Sequence, residues 1–237
     1  MAGTWPDLED LDLVESGASD PQLALIFGGM RRIHGLSITR TDLGIQTRAA
    51  LRPHFPWLTN LDITMNAVYT GKFVAEVLRS CPQLENLKTD RISVDYFLDG
   101  VPWACEKSLK VLEICFEVLP RMRSEDLGPL LILLSRLRNL ERLDLTDPEA
   151  SLSNILSLEF RLDKGLEQLA TLTRLKRLVI ERTIQESTME DVEWMINHWR
   201  NLKCIEGTLN TEDKDESAKL VSKLQAAGVE VWPWKRR

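Results

Sequence analysis

The sequence predicts an α/β fold, an open curved array of about eight or nine strand-and-helix units with parallel strands on a concave face and helices on a convex one. Three observations predict it. The pattern L-x-x-L-x-L appears at Leu8-Leu11-Leu13, Ile33-Leu36-Ile38, Leu58-Leu61-Ile63, Leu109-Leu112-Ile114, Leu140-Leu143-Leu145 and Leu175-Leu178-Ile180, with weaker copies at Leu84-Leu87-Thr89 and Leu202-Ile205-Gly207. Its first positions step by 25, 25, 26, 25, 31, 35 and 27 residues, the period of a short strand plus a returning helix that buries its apolar face only against its neighbours. Hydrophobic residues make up 43% of the chain but include only six Phe and two Tyr, which suits a core of stacked aliphatic rungs.

A spacing near 25 is that of the leucine-rich repeat, so residues 1–237 read as one solenoid domain with strand motifs starting near 8, 33, 58, 84, 109, 140, 175 and 202. Around the second motif position the residues alternate, as in Leu11-Asp12-Leu13, Leu61-Asp62-Ile63, Leu112-Glu113-Ile114 and Leu143-Asp144-Leu145. A period of two is a strand with one buried face, and it turns the intervening acid to solvent. Between strands the period changes: in Gly71 to Ser80 the residues Phe73, Val74, Val77 and Leu78 form one stripe of an amphipathic helix. Comparable stripes occupy residues 21–27, 127–137, 162–172, 189–199 and 217–227, with Thr188 placed to cap the helix over 189–199 through Asp191. Gly28-Gly29 fits a helix end, and Gly228 ends the last helix before a degenerate ninth strand near Val229. Proline after Trp5, Phe55, Cys81 and Val101 is expected to end a helix and lead the chain toward the next strand. The usual asparagine after the strand survives at Asn66 and Asn210, with Ser16, Thr41 and Thr183 as partial substitutes and Ile92, Glu117 and Pro148 in the other places. The two lengthened connections contain residues 119–123 and 147–154, and insertions of this kind lie along one rim of a solenoid.

Composition narrows the function. A formal net charge of -6 argues against a general nucleic-acid binder, which needs a basic stripe to displace counterions. The basic cluster noted along the chain is the terminal Lys235-Arg236-Arg237. Four cysteines (Cys81, Cys105, Cys115, Cys204) without C-x-x-C spacing read as reduced thiols of a cytoplasmic or nuclear protein. The start is acidic and lacks the marks of a signal peptide, and the most apolar run, Leu130 to Leu134, is too short for a bilayer. Of seven Trp, Trp5, Trp57, Trp103, Trp199 and Trp232 lie beside strand motifs and are expected to wedge between helix and sheet. His34, His54 and His198 do not recur in register, and neither a nucleophile elbow nor a phosphate loop nor a zinc-binding helix motif is present. The reading is a non-catalytic protein without cofactor or metal, and with no nucleic-acid or membrane partner.

What such a fold offers is a surface. The residues between the second and third motif positions, Asp12, Ser37, Asp62, Lys88, Glu113, Asp144, Val179 and Glu206, are expected on the concave face. A row of carboxylates roughly 5 Å apart repels itself unless bases neutralise it or a basic partner does. Arg142 and Arg177 are placed to neutralise one end, whereas Asp10, Asp12 and Asp62 lack such neighbours. The partner expected is therefore a protein with a basic segment, held by Asp10, Asp12, Asp62, Lys88, Glu113, Asp144, Arg142, Arg177 and Glu206.

The phrase Val77-Leu78-Arg79-Ser80-Cys81-Pro82-Gln83-Leu84-Glu85-Asn86-Leu87, with Cys-Pro-x-Leu-x-x-Leu between helix and strand, resembles the repeats of F-box and leucine-rich-repeat proteins. Residues 158–169 with 172–178, and 189–195 with 199–203, resemble the expanded fungal branch of that family. The resemblance implies a ribonuclease-inhibitor-like array that recruits the substrate of a cullin-type ubiquitin ligase. No room exists before Leu8 for the helical F-box, so a Skp-type adaptor is implied only if an F-box is supplied elsewhere. The rival role is an array that regulates an enzyme, as a GTPase activator or nuclease inhibitor.

Overall fold

Where period-two alternation surrounds a motif leucine, the chain forms a short strand, and nine such strands are present among the described residues. The computed structural model describes residues 5, 7–41, 43–66, 71–119, 122, 124–146 and 158–232. The chain divides into two units, one comprising residues 1–90 and 102–109 and the other residues 91–101 and 110–237. Each is an α/β arrangement of parallel strands and intervening helices, compatible with a solenoid.

In the first unit β1 (Asp10–Asp12), β2 (Gly35–Ser37), β3 (Asn60–Asp62) and β4 (Asn86–Ser93) pair parallel in chain order, with the unit boundary falling inside β4. The register brings Leu11, Leu36, Leu61 and Leu87 side by side. Leu36, Leu61 and Leu87 are buried, while Leu11 on the edge strand is half-covered. Helix α1 (Asp20–Gly28) starts where Gln22 Oε1 accepts the Ser19 N–H at 2.9 Å. Helix α2 (Ile45–Leu51) has no local stripe to announce it: Ile45 at its start is 81% exposed, and Thr47 is buried. Its cap is not local either. The Asp20 carboxylate of α1 accepts the N–H groups of Gln46 and Thr47 at 3.0 and 2.7 Å. Although burial opposes it, the Thr47 side chain, these two N–H groups and the nearby Arg48 hold the Asp20 carboxyl below its usual range. Helix α3 (Gly71–Ser80) buries the anticipated Phe73, Val74, Val77 and Leu78.

Three non-glycine residues at a common spacing, Glu15, Arg40 and Met65, take left-handed backbone conformations just after β1, β2 and β3. Asn66 then joins consecutive turns, donating to Ile38 O at 2.6 Å and Ile63 O at 2.8 Å and accepting the Thr41 N–H at 3.0 Å. Thr41 is thus a partner of the asparagine, not its substitute. Phe55 departs from expectation, since it is helical at φ -50, ψ -38 directly before Pro56.

In the second unit β5 (Val111–Glu117), β6 (Arg142–Asp144), β7 (Arg177–Ile180), β8 (Cys204–Gly207) and β9 (Glu230–Trp232) pair parallel in chain order. Leu112, Leu143, Leu178, Ile205 and Val231 form one buried rung. The helices are α4 (Gly128–Ser135), α5 (Met189–His198) and α6 (Lys214–Ala226). Thr188 caps α5 as expected, and the Asp191 carboxylate accepts its N–H at 2.7 Å. Asp213 caps α6, which starts three residues before the first residue of its apolar stripe. At its other end Gly228, at φ +84, lets the Val229 N–H turn back to Leu224 O at 3.0 Å.

The helix expected over residues 162–172 is not there. Two 3-10 turns, Leu162–Lys164 and Leu166–Thr171, stand in its place because Gly165 takes φ +95 between them. Leu166, Leu169 and Leu172 are nonetheless buried, so the apolar residues of the stripe reach the core along a different backbone path. Trp103 and Trp199 are buried wedges, Trp57 is half-buried beneath Arg32, and Trp5 and Trp232 are exposed against expectation. Pro148 and most of the two lengthened connections lie outside the described residues.

Candidate functional site

Residues two apart on a strand share a face, so in the first unit Asp10, Gly35, Asn60 and Asn86 make one row and Asp12, Ser37, Asp62 and Lys88 the next. The centre of this face is small. Asp10 leans across Gly35: a Cβ built on Gly35 would lie 2.1 Å from Asp10 Oδ1, so any side chain there displaces the carboxylate. Asn60 is tied to Asn86 by a side-chain hydrogen bond. Asp62 accepts the N–H and hydroxyl of Thr64 at 3.1 and 2.8 Å, so part of its role is to turn the chain at the end of β3. Asp10 and Asp12 are exposed, and neither side chain makes a hydrogen bond or ion pair among the described residues.

The corresponding face of the second unit carries Glu113, Arg142, Asp144, Arg177, Val179, Cys204, Glu206, Glu230 and Trp232. Here the carboxylates are neutralised from within. Arg142 Nη2 lies 2.7 Å from Asp144 and 3.4 Å from Glu113, and Arg177 pairs with Glu206. The hydrogen bond that Arg177 donates to Glu206 holds the guanidinium above its usual pKa, and the guanidinium also lies 5.8 Å from the centre of the Trp232 ring. Asp144 repeats the Asp62 pattern, accepting the N–H and hydroxyl of Thr146 at 3.0 and 2.6 Å. The side chains of Asp144 and Glu206 keep 12% of their surface, and Val179 is 3% exposed despite its place on the face expected to be open. Of the nine residues singled out from the sequence, Asp62 turns the chain onto Thr64 and Lys88 stands beside it in the same row, while the other seven fall into two unlike groups. Asp10 and Asp12 are accessible acids, whereas Glu113, Arg142, Asp144, Arg177 and Glu206 satisfy one another.

Cysteine and histidine chemistry lies elsewhere. Cys81, Cys105, Cys115 and Cys204 are free thiols. Burial raises Cys81 and Cys105, the latter to about 12, and burial with the Glu206 carboxylate raises Cys204 to about 11. His34 meets Glu9 at 3.1 Å; His198 stacks on Trp194 with ring centroids 4.3 Å apart. His54 is buried, with Nε2 at 3.1 Å from Phe27 O, and burial holds its pKa below the usual histidine value. Among the described residues no group of three His, Cys, Asp or Glu could hold a metal ion, and no helix is long and apolar enough to cross a membrane.

Sequence reading missed Gln185, which closes the polar interior of the second unit. It is fully buried, accepts the Phe160 N–H at 3.1 Å and donates to Leu158 O at 2.9 Å and Thr183 Oγ1 at 3.1 Å. The asparagine expected in this role, Asn210, makes a longer bond of 3.4 Å to Ser187 O and otherwise accepts from Glu212 and Asp213. No protein-family model matches this chain, and no curated protein is significantly similar to it.

Proposed function

We propose that this protein is a non-catalytic protein-binding array of leucine-rich-repeat type, with about eight or nine units. We relate it to the substrate-recognition region of F-box and leucine-rich-repeat subunits of cullin-type ubiquitin ligases, acting in the cytoplasm or nucleus. Its strand face in the first unit receives a basic segment of the partner. The observation that carries the binding mode is the pair Asp10 and Asp12, exposed beside the small residues Gly35 and Ser37 and without a base of their own. A lysine or arginine laid across Gly35 and Ser37 reaches both carboxylates and also approaches Asp62, so each cation replaces repulsion by attraction. The Cys-Pro-x-Leu-x-x-Leu phrase at Cys81 to Leu87 supports the family relation.

An extended peptide alternating lysine and serine tests the mode, since its cations share one side. Fluorescence anisotropy at low salt is expected to show binding that weakens about tenfold in the variant Asp10→Asn with Asp12→Asn. Equal binding by wild type and variant, or no binding to either, contradicts the proposal.

A further inference from the structure

In the second unit, the connections leading into β6, β7 and β8 are built alike. Leu140 N–H bonds to Leu137 O, Leu175 N–H to Leu172 O, and Leu202 N–H to Trp199 O, at 2.9, 3.1 and 2.8 Å. Each closes a tight turn whose two central residues face solvent or lie half-exposed: Arg138-Asn139, Thr173-Arg174 and Arg200-Asn201. The last two turns are stacked, because Asn201 Nδ2 donates to Thr173 O at 2.7 Å. One residue beyond each turn leucine, a second row runs across the strands. The N–H of Glu141 bonds to Lys110 O, that of Lys176 to Glu141 O and that of Lys203 to Lys176 O, each at 2.8 Å. Lys110, Lys176 and Lys203 are exposed, as are Arg138, Arg174 and Arg200.

Six exposed bases thus share one rim of a unit in a chain of net charge -6. The lone acid in the inner row, Glu141, is bound by Lys176 at 2.7 Å. That bond, with Lys110 and Arg174 nearby, holds the Glu141 carboxyl below its usual value, an internal gauge of positive potential at the rim. The matching row of the first unit is Glu9, His34, Thr59 and Glu85, joined by the same backbone bonds and lacking lysine or arginine.

We propose that this rim is a second interaction surface, and that it takes an acidic segment of a protein partner. The row from Lys110 to Lys203 crosses four neighbouring positions, roughly 14 Å at the spacing of paired strands, about the length of four extended residues. Such a run of aspartates or glutamates meets both rows at once. A nucleic acid fits less well, because none of the turn or inner-row residues is aromatic and so none offers a base-stacking platform.

The test compares a labelled oligoglutamate peptide with a single-stranded oligothymidylate of equal charge, by anisotropy on the full chain. Oligoglutamate is expected to bind, to weaken several-fold between about 50 and about 200 mM salt, and to lose about tenfold or more in Arg174→Glu with Lys176→Glu and Lys203→Glu. These positions are exposed, and circular dichroism melting checks that the variant is folded. The double variant Arg174→Gln with Lys203→Gln, gentler on the fold, is expected to lose a smaller part of the affinity in the same direction. Absence of oligoglutamate binding at low salt, unchanged binding in both variants, or tighter binding of the oligothymidylate overturns the proposal.

Discussion

Trp199→Ala is expected to lower the unfolding free energy by about 3–5 kcal/mol, read as an earlier urea midpoint by circular dichroism. The indole is 1% exposed, lies edge-on to Phe160 and Trp194 at 6.1 and 5.6 Å between centroids, and donates from Nε1 to Leu169 O at 3.0 Å. It spans the space between α5 and the 3-10 turn Leu166–Thr171, where no other side chain of comparable volume is fully buried beside it except Phe160. Trp199→Phe separates the contributions. It keeps an aromatic ring but loses the bond to Leu169, and is expected to cost less, about 1–2 kcal/mol. If both variants unfold at the wild-type midpoint, the indole is not the wedge described.

The second large effect concerns polarity. Gln185→Leu preserves bulk but leaves the Phe160 N–H and Leu158 C=O without the partner they have now, inside a region that excludes water. Each buried group left unpaired costs about 1–3 kcal/mol, so a loss of about 2–4 kcal/mol is expected. Faster amide hydrogen exchange at Phe160 should accompany it. A stable variant with unchanged exchange at Phe160 would show that other groups satisfy this backbone.

These two positions mark where the sequence was legible and where it was not. The rungs Leu36-Leu61-Leu87 and Leu112-Leu143-Leu178 follow from spacing alone, because a period-two strand admits no slip by one residue without exposing every leucine. The caps Thr188 and Gly228 are local and were equally readable. Helix α2 was not, since its N-terminus is satisfied by Asp20 from another helix and Gly44, which has no side chain, makes room for that carboxylate. Gln185 escaped notice for a similar reason. Its role is set by reach from a position two residues beyond Thr183, not by the asparagine register.

The face residues were legible as a row and misjudged as a surface. Alternation placed Asp144, Val179 and Glu206 with Asp12, but the ion pairs of Arg142 and Arg177 and the low exposure of Val179 depend on packing that alternation does not encode. The basic rim was hidden for the opposite reason. Arg138, Arg174 and Arg200 are dispersed along the chain, and only the recurrence of one turn brings them to one edge. The longest run of consecutive lysines and arginines is the last three residues, which belong to none of these turns.

The most direct test of the central claim places a photo-crosslinking amino acid at Ser37, midway between Asp12 and Asp62, and at Lys219 on the exposed side of α6 as a control. Irradiation in a lysate of the source organism is expected to give a discrete protein adduct from position 37, lost on adding Asp10→Lys with Asp12→Lys, and none of that size from position 219. No protein adduct at position 37, or the same adduct from both positions, would contradict a protein-binding strand face.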